Sequence, residues 1–221
     1  MDRVNTAVRI RTSQVKLLGS VLTESFFNNP GVSYILPDAH MRRSVLSWFF
    51  TSVAIRASWL CGEIYTTENV DGGALWISPG VELTIGHAIR TEILSLPFKL
   101  DRASIKRWIT INRYLESIRK HVAEKLHWYL LALGTEPSTG QATRLALMAP
   151  VLATADWDLR PCYVETFHEK DLPFYEQSGF QIAGAGKIPH GGPNFWTLIR
   201  PPRRTAKLRP VATLRAASAL V

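Results

Sequence analysis

Cysteine is almost absent. The 221 residues hold two, Cys61 and Cys162, about a hundred positions apart and outside any CxxC pair or His cluster with metal-ligand spacing. That scarcity excludes a disulfide scaffold and a zinc ribbon. We expect reduced thiols, no metal and a cytoplasmic protein. Long apolar runs are also lacking. The opening MDRVNTAVRIRTSQ carries charge with no apolar stretch behind it, so no secretory signal is expected. The most apolar segment, Val45 to Leu60, is broken by Ser47, Thr51, Ser52, Arg56 and Ser58, which is too polar for lipid on every side. Internal repeats are missing as well, and so is any linker before residue 200.

Acid is absent from the C-terminal end. All 18 acidic residues lie at or before Glu176, where they face 19 bases. The remaining bases are Lys187, Arg200, Arg203, Arg204, Lys207, Arg209 and Arg215, so all but one unit of the formal net charge of +8 belongs to the last stretch. Residues 201–221 carry five bases, three prolines and no aromatic side chain to stack on a nucleotide base. We read a basic, flexible tail after a domain spanning 1–200, with docking on RNA, ribosomes or an acidic protein as the weaker alternative. What is present is ordinary globular material: 46% hydrophobic and 10% aromatic residues, 14 Gly and 13 Pro. A chain this long can bury roughly 70% of the surface its unfolded form exposes, so it needs no staple.

Periodicity gives the order of elements. AVRIRT (7–12) alternates as a strand, VKLLGSVLTESFF follows with helical spacing, and Asn28-Asn29-Pro30-Gly31 stops it. A second helical segment covers about 40–59, then EIYTTE and ALWIS flank a turn and read as a hairpin. Residues 81–96 read as helical, and Asp101 caps a clear helix through Val122. LHWYLLALGT (126–135) is apolar nearly throughout, as expected of a strand covered on both faces. A helix over RLALMAPVLATAD, a buried strand CYVET, a short helix LPFYEQS closed by Gly179, and a last strand pair complete the chain. The class is α/β (α+β) with a mixed, mostly antiparallel twisted sheet, helices on both faces and at least one parallel crossover.

Between the strands 126–135 and 162–166, the loop Pro137-Ser138-Thr139-Gly140-Gln141-Ala142-Thr143-Arg144 opens straight into a helix. Unpaired N–H groups and the positive dipole end suit a pyrophosphate there. Five blocks, HWYLLALGTEP (127–137), LMAPVLATAD (147–156), PCYVET (161–166), LPFYEQSGF (172–180) and GGPNFWTLIR (191–200), together resemble the GNAT superfamily of N-acetyltransferases, most of all its puromycin N-acetyltransferase-like branch.

That resemblance implies acetyl-coenzyme A as cofactor, its pantetheine arm lying between splayed parallel strands. Main-chain groups of Leu133 and Thr135 would bind the arm, and the amides of Gly140, Gln141, Ala142, Thr143 and Arg144 would bind the pyrophosphate. Arg144 stands where the family keeps Gly or Ala, and Asp171 where it commonly has Asn. Either departure admits a second reading, a catalytically degenerate ligand-binding or sensor module.

Tyr175 matches the family's general acid, a phenol able to protonate the departing thiolate. Its plain alternative is packing the short helix on the sheet. Glu165 and His127 are the base candidates. Glu165 is equally readable as a carboxylate accepting backbone N–H groups, and His127 as a packed strand histidine. Asp171 is first a helix cap. Phe27, Tyr34 and Trp76 are the candidate substrate-side aromatics, for an unnamed small-molecule amine bound by a monomer or homodimer.

Overall fold

The computed structural model of the chain describes residues 6–81, 91–123 and 126–203. Most of the segment expected as a helix over 81–96, and the basic tail beyond Arg203, lie outside them. The order begins with β1 (Val8–Arg9), shorter than its alternation implied, and α1 (Val15–Phe26), which buries Leu18, Val21 and Leu22 on one face. The helix ends just before Asn28–Gly31 as expected, but the same residues also start a new one. Asn29 Oδ1 accepts from the N–H groups of Gly31 and Val32, Pro30 sits at the first helical position, and α2 (Pro30–Ile35) follows.

A long rod comes next: α3 (Ala39–Trp48), a π-helical stretch Phe49–Ala54, and α4 (Ile55–Cys61). By length and composition Ala39–Cys61 is able to cross a membrane, but half of that window is buried in the fold, as in a core helix. Then come β2 (Gly62–Thr66), β3 (Gly72–Ile77), α5 (Leu96–Lys99), α6 (Arg102–Val122), β4 (Trp128–Thr135), α7 (Gln141–Trp157), β5 (Cys162–Thr166), α8 (Leu172–Gln177), β6 (Gln181–Lys187) and β7 (Asn194–Arg200). The expected cap of α6 is present, with Asp101 Oδ1 accepting from Ser104 N at 2.7 Å. α8 ends where Gly179 takes φ +91°, a left-handed position that favours glycine.

The described strands form one sheet in the order β1-β2-β3-β4-β5-β7-β6. Every pair is antiparallel except β4 and β5. α7 and α8 cover one face, packing Leu147, Met148, Val151 and Phe174 against Leu130, Leu133 and Val164. α1 and the rod cover the other, with Leu22, Phe50 and Ile55 against Ile64, Leu75 and Ala132. Each such large side chain, wholly buried, stabilises the fold by about 1.5–3 kcal/mol.

Candidate active site

β4 and β5 stay together for three register pairs only, Trp128 with Cys162, Tyr129 with Tyr163 and Leu130 with Val164. β4 then continues five residues to Thr135 with no β5 partner. At that point β4 also bulges. Leu75 pairs with Ala132 and Trp76 with Leu130, which leaves Leu131 as the extra residue. A bulge twists and bends its strand. The outcome is a wedge, closed at Trp128 and open toward Thr135.

At the open end α7 begins at Gly140, which offers no side-chain cap, and a Cβ built on Gly140 would meet nothing within 4 Å. The positive end of this 17-residue helix thus carries no side-chain cap, while Thr143 N donates back to the Gly140 carbonyl at 3.2 Å. On the opposite face a cavity of about 250 Å³ runs from the wedge, past Leu131, Leu133, Glu165 and Tyr175, to α2, the rod and α6. Gly31 shapes its rim. A Cβ there would come within 2.7 Å of the Phe167 ring, so only glycine lets α2 press this closely on the end of β5.

Glu165 meets the cavity through a set of phenols. Tyr163 Oη donates to Oε1 at 2.8 Å, and Tyr129 Oη donates to Oε2 at 3.2 Å. The Arg119 guanidinium, from α6, lies 4.8 Å over the Tyr129 ring. Burial pushes the Glu165 carboxyl above its usual range, and the Tyr163 hydrogen bond, the Arg119 charge and the Tyr129 hydrogen bond only partly reverse it. The alternative of a carboxylate satisfied by backbone N–H groups is not what forms here, since its hydrogen-bond donors are the two phenols.

Tyr175 is 5% exposed, packs edge-on against Phe174 and Phe180, and borders the same cavity. Burial raises its phenol well above the ordinary value, with Arg144 opposing, so it is neutral and carries its proton. Ring packing and a hydroxyl held beside the Arg144 guanidinium are thus combined in one residue.

Arg144 lies across the cleft floor. Its guanidinium sits 4.0 Å over the Phe174 ring and 3.3 Å from Asp171 Oδ1, while Asp171 Oδ2 accepts from Thr166 at 3.4 Å. Asp171 holds the N-cap position of α8 but makes no side-chain cap bond, which corrects its reading as a cap. Gln141 Nε2 adds a second bridge to α8, at Gln177 Oε1 2.9 Å away.

The structure does not bring His127 to this site. It precedes β4 at the closed end of the wedge, beside Tyr163 in a separate small pocket with Cys162 and Pro161. Trp76 is core: it is wholly buried among the residues under α7. Phe27 lies beneath the guanidinium groups of Arg42 and Arg43, and Tyr34 Oη donates to the carbonyls of Pro189 and His190. None of these three aromatics borders the cavity. Its aromatic wall comes instead from Phe26, Trp48, Phe49, Phe50, Trp108 and Phe167. Sequence reasoning missed them; the only signal was the aromatic run at 48–50, whose phase the π-helical stretch decides.

No family model matches the chain. Over 184 residues, 79% of this chain and 73% of the relative, it is 24% identical to an uncharacterized N-acetyltransferase of Schizosaccharomyces pombe. Among solved structures it is similar to the histone acetyltransferase HPA2 and related acetyltransferase of Corynebacterium glutamicum, with a TM-score of 0.62, 19% identity and coverage of 92% of this chain and 99% of that one. The chain has the GNAT fold. A Drosophila melanogaster polyamine N-acetyltransferase shares it at a TM-score of 0.54 and 13% identity, covering 89% of this chain and 99% of its own. In GNAT terms the wedge is the cleft between the fourth and fifth strands. The relative and these neighbours together support an acetyltransferase of the GNAT type.

Proposed function

We propose that the chain is an N-acetyltransferase that uses acetyl-coenzyme A and acetylates a primary amine of a small molecule by direct attack in a ternary complex. The observation that carries this reading is that the open β4/β5 wedge leads into a cavity bordered by Glu165 and Tyr175, while the N-terminus of α7, with no side-chain cap, follows the open end of β4. The residues present fit the cofactor. The amides of Gly140, Gln141 and Ala142 would hold its pyrophosphate, and the free main-chain edge of Leu131 to Thr135 its pantetheine arm. When bound, it supplies the activated acetyl thioester.

Glu165 then takes a proton from the acceptor ammonium at a carboxylate oxygen, while Tyr129 and Tyr163 hold that carboxylate in place. Tyr175 gives its phenolic proton to the departing sulfur, and Arg144 and Asp171 orient the floor beneath it. Neither cysteine takes part: both are buried, and burial raises the Cys162 thiol to about 12. Buried, unpaired thiols also suit a reducing cytoplasm. The five sequence blocks support the puromycin N-acetyltransferase-like branch, and the polyamine-acetylating Drosophila neighbour supports an amine acceptor.

Calorimetry with acetyl-coenzyme A, beside a thiol-release screen of amines, tests the proposal. Binding with turnover is expected. Tyr175→Phe should keep the ring contacts and cofactor affinity but lose about 100-fold or more in kcat; equal turnover would remove Tyr175 from the chemistry. Binding without turnover for any amine would instead favour the sensor-module reading.

A further inference from the structure

We propose that the acceptor is a monoamine carrying an apolar body of about one ring, and that polyamines and peptides are rejected. This rests on the acetyltransferase reading and adds the substrate class to it. The walls away from Glu165 are built by Phe26, Leu36, Phe49, Leu100, Trp108 and Leu115. The polar side chains that border the same space are engaged internally. Asn29 Oδ1 accepts from Gly31 N and Val32 N, Asn112 Nδ2 donates to the Trp108 carbonyl at 2.8 Å, and Asp171 is paired with Arg144. Among the described lining residues, Glu165 is the one carboxylate without a basic side chain within ion-pair distance.

One ammonium therefore finds one anion. A second ammonium farther along the same molecule would be stripped of water against aromatic and aliphatic walls, with no further unpaired carboxylate among the described lining residues to meet it. Size gives the other limit. An apolar cavity of about 150 Å³ accepts a benzene ring. The space here is about 250 Å³ and must also take the acetyl group, so a ring with a short linker fills it. A peptide backbone drawn into it would bring unpaired amide groups against the same apolar walls.

The chemistry needs no added reactant. The ammonium gives one proton to Glu165, the neutral nitrogen forms the new amide bond as the carbon–sulfur bond breaks, and the sulfur leaves with the proton from Tyr175. The nitrogen's second proton, lost as the amide forms, returns to Tyr175, and the proton held by Glu165 passes to solvent, so that one proton leaves per turnover and both side chains are restored.

The test uses the full chain with acetyl-coenzyme A and compares 2-phenylethylamine, hexylamine, 1,4-diaminobutane, spermidine and a lysine-containing peptide by thiol release. The expected kcat/KM for the first two exceeds that for the others by about 100-fold. Val32→Asp places an acid on the cavity wall near the N-terminus of α2, where a carboxylate is favoured by the helix dipole, so it should fold. It should raise the ratio of diamine to monoamine turnover at least about tenfold, because the second ammonium gains a partner. Cofactor binding with spermidine or the peptide preferred would overturn the inference and leave the acetyltransferase intact. Failure to bind acetyl-coenzyme A, with no turnover of any amine, would defeat the underlying reading and this one with it.

Discussion

Arg200 and Asp156 clamp the narrow end of the wedge, and Arg200→Met measures what that clamp is worth. The pair is bidentate, with both N–O distances 2.7 Å and side chains only 4% and 12% exposed. Arg200 Nε also donates to the Ser178 carbonyl at 3.2 Å, and Arg203 N donates to Asp156 Oδ1 at 2.6 Å. Arg200 stands opposite Cys162, which pairs with Trp128 on its other side, so the clamp joins the far end of α7 to the point where β4 and β5 are still zipped. Removing the guanidinium leaves a largely buried carboxylate with one N–H donor and only the more distant Arg203 charge, a loss of about 3–5 kcal/mol. For a domain of this size that lowers Tm by about 6–20 °C.

Urea unfolding followed by tryptophan fluorescence, and calorimetry, read the loss directly. Asp156→Leu combined with Arg200→Met should recover most of it, because an apolar pair in the same space carries no desolvation cost. Acid supplies an independent check. Burial pushes the Asp156 carboxyl up, but the Arg200 hydrogen bonds and the Arg203 N–H outweigh it and hold the group below its usual range. A depressed carboxyl contributes its full stability above the unfolded value near pH 3.9 and loses it as pH falls through the native one. The gap between wild type and Arg200→Met should therefore shrink below about pH 4. A loss under about 1 kcal/mol, or a gap indifferent to acid, would refute the reasoning.

Glu165→Gln should abolish most turnover yet make the protein more stable at pH 7.5 than the parent. The native carboxyl is raised by burial, against the opposing pull of Tyr163, Arg119 and Tyr129, so its stability is lost as pH climbs through that raised value, and the amide has no charge to bury. The parent's rate should correspondingly fall on the acid side at a pH above the ordinary Glu range; unchanged turnover in the variant would sink the base assignment. Cys162, wholly buried with its thiol pushed up to about 12, should resist iodoacetamide in the native protein at pH 8 and react on unfolding. Rapid native labelling accompanied by loss of activity would contradict both its burial and its exclusion from the chemistry.

What could be read in the residues beforehand were the features with local causes. The runs at 128–135 and 162–166 are largely apolar because helices cover both faces, and Asp101 and Gly179 announce their helix ends chemically. α2 escaped because Asn29-Pro30 serves equally to end one helix and to begin the next, and only the tertiary position of Phe167 decides. The cavity walls escaped for a different reason. They converge from α1, α2, the rod, α5, α6 and the end of β5, and the π-helical stretch shifts the phase on which Phe49 and Phe50 depend. Phe27 is one residue from Phe26, which does border the cavity. A one-residue error in helical phase is enough to exchange a wall for a surface.

Glu165 carries the strongest physical case that this site does chemistry. A carboxylate kept for structure is ordinarily held by backbone N–H groups or a bidentate guanidinium, both of which lower its pKa, as Arg200 does for Asp156. Glu165 has two neutral phenols instead, and an Arg119 whose nearest described engagement is with the Tyr129 ring. The same chain thus contains one buried carboxyl tuned down and one tuned up. The first closes the scaffold and the second faces the cavity. A fold gains nothing from a raised acid that glutamine would replace with less strain, so the cost is the one the proposed proton-taking role of Glu165 would call for.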